Sequence, residues 1–292
     1  MKQKNDVIFQ TIVYVLTVLI CLITLYPLVY VISASFSDPA RILGGDVVLW
    51  PVDVTLNAYK RVFSSSDILT GYRNTVIYTF FGTAVNMFFT IICAYPLSLP
   101  DLKGKNGITL FITFTMFFGA GMIPDYLNIK SLGLLNNPLV LIIPGAISVT
   151  NMLIMRNYFI NSVPAALREA ADIDGASPLA TMTRIMLPLS KSILIVIILY
   201  YMVGHWNSYF SAMMYLRDRK MQPLQVFLRE ILVLTQMGDL EEQSGIDDLS
   251  VYLLYASLKY AIIVVSAVPL LILYPMVQKF FERGIMMGSL KG

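Results

Sequence analysis

The sequence predicts an all-α integral membrane protein with six transmembrane helices and both termini cytoplasmic. Three observations carry that expectation. The chain is 57% hydrophobic and only 13% charged, where a soluble domain carries about 25% charged residues. Apolar runs long enough to span a bilayer recur along it, separated by polar connectors. Its basic residues gather at alternate connectors, which marks those as the inner side. A net charge of +3 gives no case for a nucleic-acid partner.

The first span is expected at about Ile8–Ser33, with Pro27 as a kink point. Its apolar run exceeds the ~7–15 residues of a signal-peptide core, so it reads as an uncleaved helix. Further spans are expected at about Thr75–Leu99, Ile108–Ile123, Pro138–Met155, Ile193–Leu216 and Val251–Val277. Helices are the default because each backbone group in the bilayer core must be paired within its own segment. Lys2 and Lys4 precede the first span, Lys103 and Lys105 sit between the second and third, and Lys279, Arg283 and Lys291 lie in the tail. One membrane domain therefore covers 1–292, with an inner loop at about 160–191 and outer loops at about 34–74 and 217–250. Within the last, Leu224, Phe227, Leu228, Ile231 and Leu232 recur at helical spacing, so an amphipathic helix is expected over Pro223–Leu234. These outer loops read equally as solvated connectors or as a platform for an external partner.

The inner loop is the polar island of the chain. Ser162 followed by Pro164 reads as an N-cap with proline in the first turn, opening a short helix to Ile173. Gly175 stands where a C-cap needs a left-handed residue. Ser177 and Pro178 repeat the cap-and-proline signal, and a second short helix with Leu179, Met182 and Met186 on one face ends near Pro188. Glu169, Asp172 and Asp174 supply charge, while Ala170 and Ala171 allow another surface to approach closely. Two readings fit: a helical hairpin packed on the membrane, or a docking knob.

At these residues the chain resembles the permease subunits of bacterial ATP-binding-cassette (ABC) importers. Their shared EAA motif is matched throughout, by Glu169, Ala170, Ala171, Gly175, Ile185, Leu187 and Pro188. The likeness extends over most of the chain. It is similar to carbohydrate-importer permeases such as the second maltose-system permease, and within them to a subgroup serving lipoprotein-type, alginate and rhamnogalacturonan oligosaccharide uptake. Ile123–Asn137, the run from Gly204 to Phe210, and Gly288–Gly292 carry that finer resemblance.

The resemblance implies a type I ABC importer permease fold and a multi-pass place in the bacterial cytoplasmic membrane. It makes the knob, Asp172 included, the coupling helix seated on an ATPase, with the tail at Gly288, Ser289 and Lys291 reaching towards that interface. It implies two ATPase subunits, a second permease and an extracytoplasmic substrate-binding protein as partners. The chain has no G-x-x-x-x-G-K-[ST], so ATP and magnesium belong to those ATPases. The chain itself is then a transport subunit and not an enzyme. Its cargo is expected to be an oligosaccharide or an acidic polysaccharide fragment.

Polar groups inside the fifth span, His205, Trp206, Asn207, Ser208 and Tyr209, fit either pathway lining or helix packing. Asn86 and Tyr95 in the second span are weaker candidates of the same kind. His205 is the only histidine, which excludes a histidine metal cluster. Cys21 and Cys93 read as small membrane hydrophobes. Met116, Met122, Met152 and Met155 read as core or lipid-facing, and Trp50, Tyr26 and Tyr30 as an interfacial belt. No paired aspartates or nucleophile–base set supports an intramembrane enzyme. An importer permease for another solute, or an ATP-independent carrier, are the alternatives.

Overall fold

The computed structural model describes residues 2–242 and 249–289, and among them there is no strand. The first elements are α1 (Lys2–Ser35), α2 (Pro39–Leu43), α3 (Asn57–Ser64) and α4 (Ser66–Ser98). After them come α5 (Lys105–Phe117), α6 (Met122–Ser131), a 3-10 turn at Pro138–Leu141, and α7 (Val149–Ser162). The polar loop that follows holds α8 (Ala165–Ile173), α9 (Pro178–Thr181), a π-turn at Met182–Met186, and α10 (Leu187–Leu189). Last are α11 (Lys191–Trp206), α12 (Phe210–Tyr215), a 3-10 turn at Arg219–Met221, α13 (Leu224–Glu242) and α14 (Leu249–Ser289). The amphipathic helix expected over Pro223–Leu234 is the first part of α13.

Among the described residues three stretches are long and apolar enough to cross a membrane: Asp6–Ser35, Ser66–Ser98 and Tyr255–Pro275. Two bent pairs, α5 with α6 and α9–α10 with α11, raise that number to five if each pair is one span. The differences from six uninterrupted helices have local causes. The expected fourth span starts only as a 3-10 turn and stays irregular to Ser148, because Pro144 and Gly145 interrupt it. The third stops at Phe117, where Gly119 and Gly121 (φ 92°) turn the chain by 112° into α6. The fifth breaks at Asn207–Tyr209. By contrast, α1 runs unbroken through Pro27.

The chain divides into two compact units, Met1–Leu69 with Phe227–Pro269, and Thr70–Val226 with Leu270–Gly292. In the first, every residue from Asp6 to Val29 is exposed, so α1 presents its apolar surface on all sides. Its threonines close their hydroxyls on the preceding turn, Thr11 on Val7 O (2.8 Å), Thr17 on Val13 O (2.7 Å) and Thr24 on Ile20 O (2.9 Å). That leaves few polar atoms facing lipid. Packing begins at the end of α1, where Ala34 joins Ile42 and Val47 in a small core and Tyr30 meets Tyr260 edge-to-face at 5.8 Å. Arg41 donates to Asp53 (2.7 Å) and Asp46 (3.2 Å). Those hydrogen bonds raise its pKa above the ordinary guanidinium value, so it stays charged at any physiological pH.

The second unit holds the larger core, built from α4, α7 and α11 around Met152, Met155, Ile197 and Ala94, all fully buried. Met116 and Met122 are exposed instead. A second cluster joins Ile129, Val140, Ala212 and Leu216. It is fastened by Asn136, whose φ is +53°. Asn136 Oδ1 accepts from the backbone N–H of Arg217 (3.0 Å) and Asp218 (2.9 Å), and its own N–H donates to Tyr215 O (2.8 Å).

This staple is testable. Asn136→Ala should cost about 1–2 kcal/mol, part from a β-carbon-bearing residue without Asn's tolerance of positive φ and part from two lost acceptor contacts. Asn136→Gly should recover only the conformational part. The thermal midpoint of the purified protein in detergent checks both, and an unchanged midpoint for Asn136→Ala would show that the staple constrains nothing.

Candidate functional site

The loop between α7 and α11 forms a capped knob. α8 ends in a Schellman motif: Gly175 N–H donates to Asp172 O (3.1 Å), Ala176 N–H to Ala171 O (2.9 Å), and Gly175 takes φ +72°. A Cβ at Gly175 would meet no atom within 4 Å, so only the backbone conformation demands glycine there. Ser177 Oγ then accepts from Ala180 N–H (3.2 Å), as an N-cap should. The N-cap expected at Ser162 is corrected. Ser162 is the last residue of α7, and Pro164 occupies the cap position of α8 without a side-chain bond. The second helix ends near Pro188 as expected, at Leu189, and the turn before the proline widens to π geometry, because proline lacks an N–H and its ring crowds the carbonyl four residues back.

Within the knob Ala171 is buried, while Glu169, Ala170, Asp172 and Asp174 are exposed. Ile185 and Leu187 are half-buried and Pro188 is exposed. The sequence reading missed Ile173, which is 86% exposed beside the acids, and Leu179, which is 66% exposed. Two bare aliphatic side chains next to a carboxylate cluster make a surface suited to a protein partner. The signal available was that Ile173 stands between Asp172 and Asp174 at the end of a short helix.

Above the knob the C-terminus of α4 is held by cations. Arg156 Nε donates to Leu97 O (2.8 Å), and Lys105 Nζ donates to Leu99 O (3.1 Å) and Pro100 O (3.0 Å). These satisfy carbonyls that the helix end leaves unpaired and oppose its negative pole.

The polar residues of the fifth span separate into two groups. His205 and Trp206 face the protein. His205 Nε2 and Asn86 Oδ1 are 2.5 Å apart, and Asn86 Nδ2 donates to Gly145 O at 2.5 Å. Gly82, one turn before Asn86, gives the imidazole its seat: a Cβ there would lie 2.5 Å from the ring. Trp206 is buried edge-on to Tyr72 at 5.8 Å and walls an apolar cavity of about 450 Å³ with Val76, Phe80 and Met202. Asn207 caps α11 through Nδ2 to Val203 O (2.9 Å), and Asn207 and Tyr209 are exposed at the break before α12. Tyr95 is in the core. Thus Asn86 joins His205, whereas Trp206 belongs to a separate apolar wall. Gly82 escaped the sequence reading, since a helical glycine carries no mark of what lies over it.

Of the tail, Lys291 and the side chain of Ser289 lie outside the described residues, and Gly288 is described only as part of α14. Among the described residues no group of three His, Cys, Asp or Glu side chains is placed to hold a metal.

Long apolar helices joined through a backbone-capped helical knob accord with a membrane permease subunit. Residues 2–287 match the family of binding-protein-dependent transport system inner membrane components, and the chain belongs to that family. It is a transport component of the cytoplasmic membrane, not an enzyme. It is 38% identical over 293 residues to the polygalacturonan/rhamnogalacturonan transport system permease protein YtcP of Bacillus subtilis, covering 99% of this chain and 100% of that one. It is 40% identical over 270 residues to protein LplC of Bacillus subtilis, covering 92% and 90%. A solved bacterial ABC transporter involved in import of the acidic polysaccharide alginate contains a similar chain, with TM-score 0.84 and 39% identity, covering 95% of this chain and 98% of that one.

A double-mutant cycle tests the imidazole seat. Gly82→Ala should destabilise by about 1–3 kcal/mol, the usual cost of overpacking. On a His205→Ala background the same change should cost far less, because the ring is gone. Thermal unfolding of the four proteins in detergent reads the coupling, and additive losses would refute the contact.

Proposed function

We propose that this chain is one of two different permease subunits of an ATP-driven importer that moves a carbohydrate, an oligosaccharide or acidic polysaccharide fragment, into the cell. The observation that carries the cargo class is the full-length likeness, at 38% and 39% identity, to a polygalacturonan/rhamnogalacturonan permease and to a chain of an importer of acidic alginate. Residues 1–292 act as one permease domain of six crossings: α1, α4, α5 with α6, α7, α11 and α14. Both termini are cytoplasmic, in keeping with Lys2, Lys4, Lys103 and Lys105.

The knob supports an ATPase partner. Glu169, Ala170, Ala171, Asp172 and Gly175 form the coupling helix, which enters a cleft on one of two ATPase subunits, with Ile173 as its apolar contact. Ile185, Leu187 and Pro188 shape the return of the chain into α11. Gly288, Ser289 and Lys291 approach the same interface. ATP and magnesium bind in those ATPases, and their closure moves the knob. ATP and a loaded binding protein at the outer loops must favour different permease states, since a ligand shifts an equilibrium only by its differential affinity. The bare α1 supports a second permease or lipid as its covering, because no part of it from Asp6 to Val29 is buried. Asn207 and Tyr209 are the pathway candidates that remain, being exposed at a break in a membrane helix. His205 and Trp206 act behind them in packing.

Reconstitution with both ATPases, the companion permease and the binding protein tests the assignment. ATP-driven uptake of an acidic oligosaccharide should exceed that of a neutral one. Glu169→Lys and Ile173→Asp should each reduce uptake about tenfold or more, as a misplaced charge at a docking contact costs several kcal/mol. Membrane insertion should be unchanged. Full uptake by both variants would remove the knob from coupling, and uptake driven by an ion gradient without ATPases would favour a secondary carrier.

A further inference from the structure

The segment after α2 is apolar, exposed and fixed in height. From Val47 to Val52 it carries no charged residue, and Val48, Leu49 and Trp50 are exposed, Trp50 by 79%. Three hydrogen bonds strap this segment to the last turn of α1 and the turn that follows it: Ser33 Oγ donates to Leu49 O (2.6 Å), Val52 N–H to Ser37 Oγ (3.0 Å) and Asp38 N–H to Val52 O (3.2 Å); just beyond, Thr55 N–H donates to Phe36 O (2.8 Å). Trp50 therefore lies level with the last turn of α1. The Asp6–Ser35 stretch has 30 residues. At 1.5 Å per residue that is about 45 Å, the thickness of a bilayer with its headgroup regions. No charged residue interrupts the chain between Asp6 and Asp38. If α1 spans the membrane, its last turn, and the strap with it, sits in the interfacial zone.

We propose that Val48, Leu49 and Trp50 form a lipid anchor that rests in the bilayer interface at the C-terminal end of α1 and sets that helix's depth. The occupant follows from the chemistry. An indole presents an apolar ring and one N–H donor, which suits the headgroup boundary. Pro51 fixes the backbone next to it, so little freedom is lost on insertion. Arg41 bridges Asp46 and Asp53, the two charged residues that flank the apolar run. A strapped, charge-free run with a projecting indole favours lipid over a soluble protein, whose contacts at such a loop draw on charge complementarity.

The test uses the full chain in phosphatidylcholine nanodiscs. With Trp206→Phe, Trp50 is the sole tryptophan. Its emission should be blue-shifted, quenched by phospholipid labelled with nitroxide near the headgroup, less so by label near the chain end, and resistant to iodide. Should Trp206→Phe not fold, a spin label at Trp50→Cys with Cys21→Ala and Cys93→Ala should be open to oxygen and closed to a water-soluble nickel chelate. Quenching by iodide but not by lipid would overturn the anchor, as would a lipid-insensitive signal that shifts only when the importer's binding protein is added. A spin label at Leu16 separates the two premises. Were Leu16 also open to the nickel chelate, α1 would not be a span at all, and the anchor would fall with it.

Discussion

The carboxamide of Asn86 joins three segments that the sequence holds far apart. Its nitrogen takes Gly145 O and its oxygen meets His205 Nε2, so α4, the irregular stretch before α7, and α11 share one polar centre. A membrane helix bundle lacks a hydrophobic force between its helices, because lipid is as apolar as leucine. Directional bonds and close backbone approach must do that work. Gly82 supplies the approach and Asn86 the bonds, one turn apart on one face of α4. Without this junction Gly145 O would be an unpaired carbonyl in an interrupted span, which hydrocarbon does not tolerate.

Other junctions in the same unit follow this rule. Tyr201 places its hydroxyl between Thr90 Oγ1 (2.7 Å) and Ser148 N–H (3.1 Å), one helical turn above the Asn86 junction on α11. Thr75 Oγ1 both donates to Gly71 O and accepts from Leu224 N–H. Each pairs a backbone group stranded by an irregular segment with a side chain from a regular helix. The breaks at Pro144–Gly145 and Leu216–Pro223 are thus supported within protein. Regular helix surfaces such as α1 need no such help, since their hydroxyls close on their own turns.

That contrast explains what could be read in advance. Helix class, the long spans α1, α4 and α14, and the Gly175 turn are local properties: apolar length, caps and a positive φ leave their marks in adjacent residues. The broken third, fourth and fifth spans were less legible. Their glycines and prolines were visible, but whether such a break is accepted depends on partners far away in the chain, as with Asn86 and Gly145 at a separation of 59 or His205 and Asn86 at 119. The polar run from His205 to Tyr209 shows the same limit. Residues adjacent in sequence were candidates for one role, yet helical rotation puts His205 on Asn86 and Trp206 against Tyr72. Ser162 misled for a related reason, since α7 continued through a residue that otherwise makes a good cap.

In the function proposed above, the coupling knob and the pathway differ in how their geometry is specified. A part that transmits motion must keep its shape when its surroundings move. The Schellman closure at Gly175 and the Ser177 cap do this with bonds inside one short segment, leaving Glu169 and Ile173 free for a partner. A pathway that opens alternately to two sides needs the reverse: surfaces whose neighbours change between states. Asn207 and Tyr209 have that character, placed where α11 gives way to α12 and exposed within this chain. Local closure is written in a few consecutive residues, so the drive is recognisable in one chain. Recognition of cargo requires groups that meet only when chains assemble, and no single sequence contains that meeting.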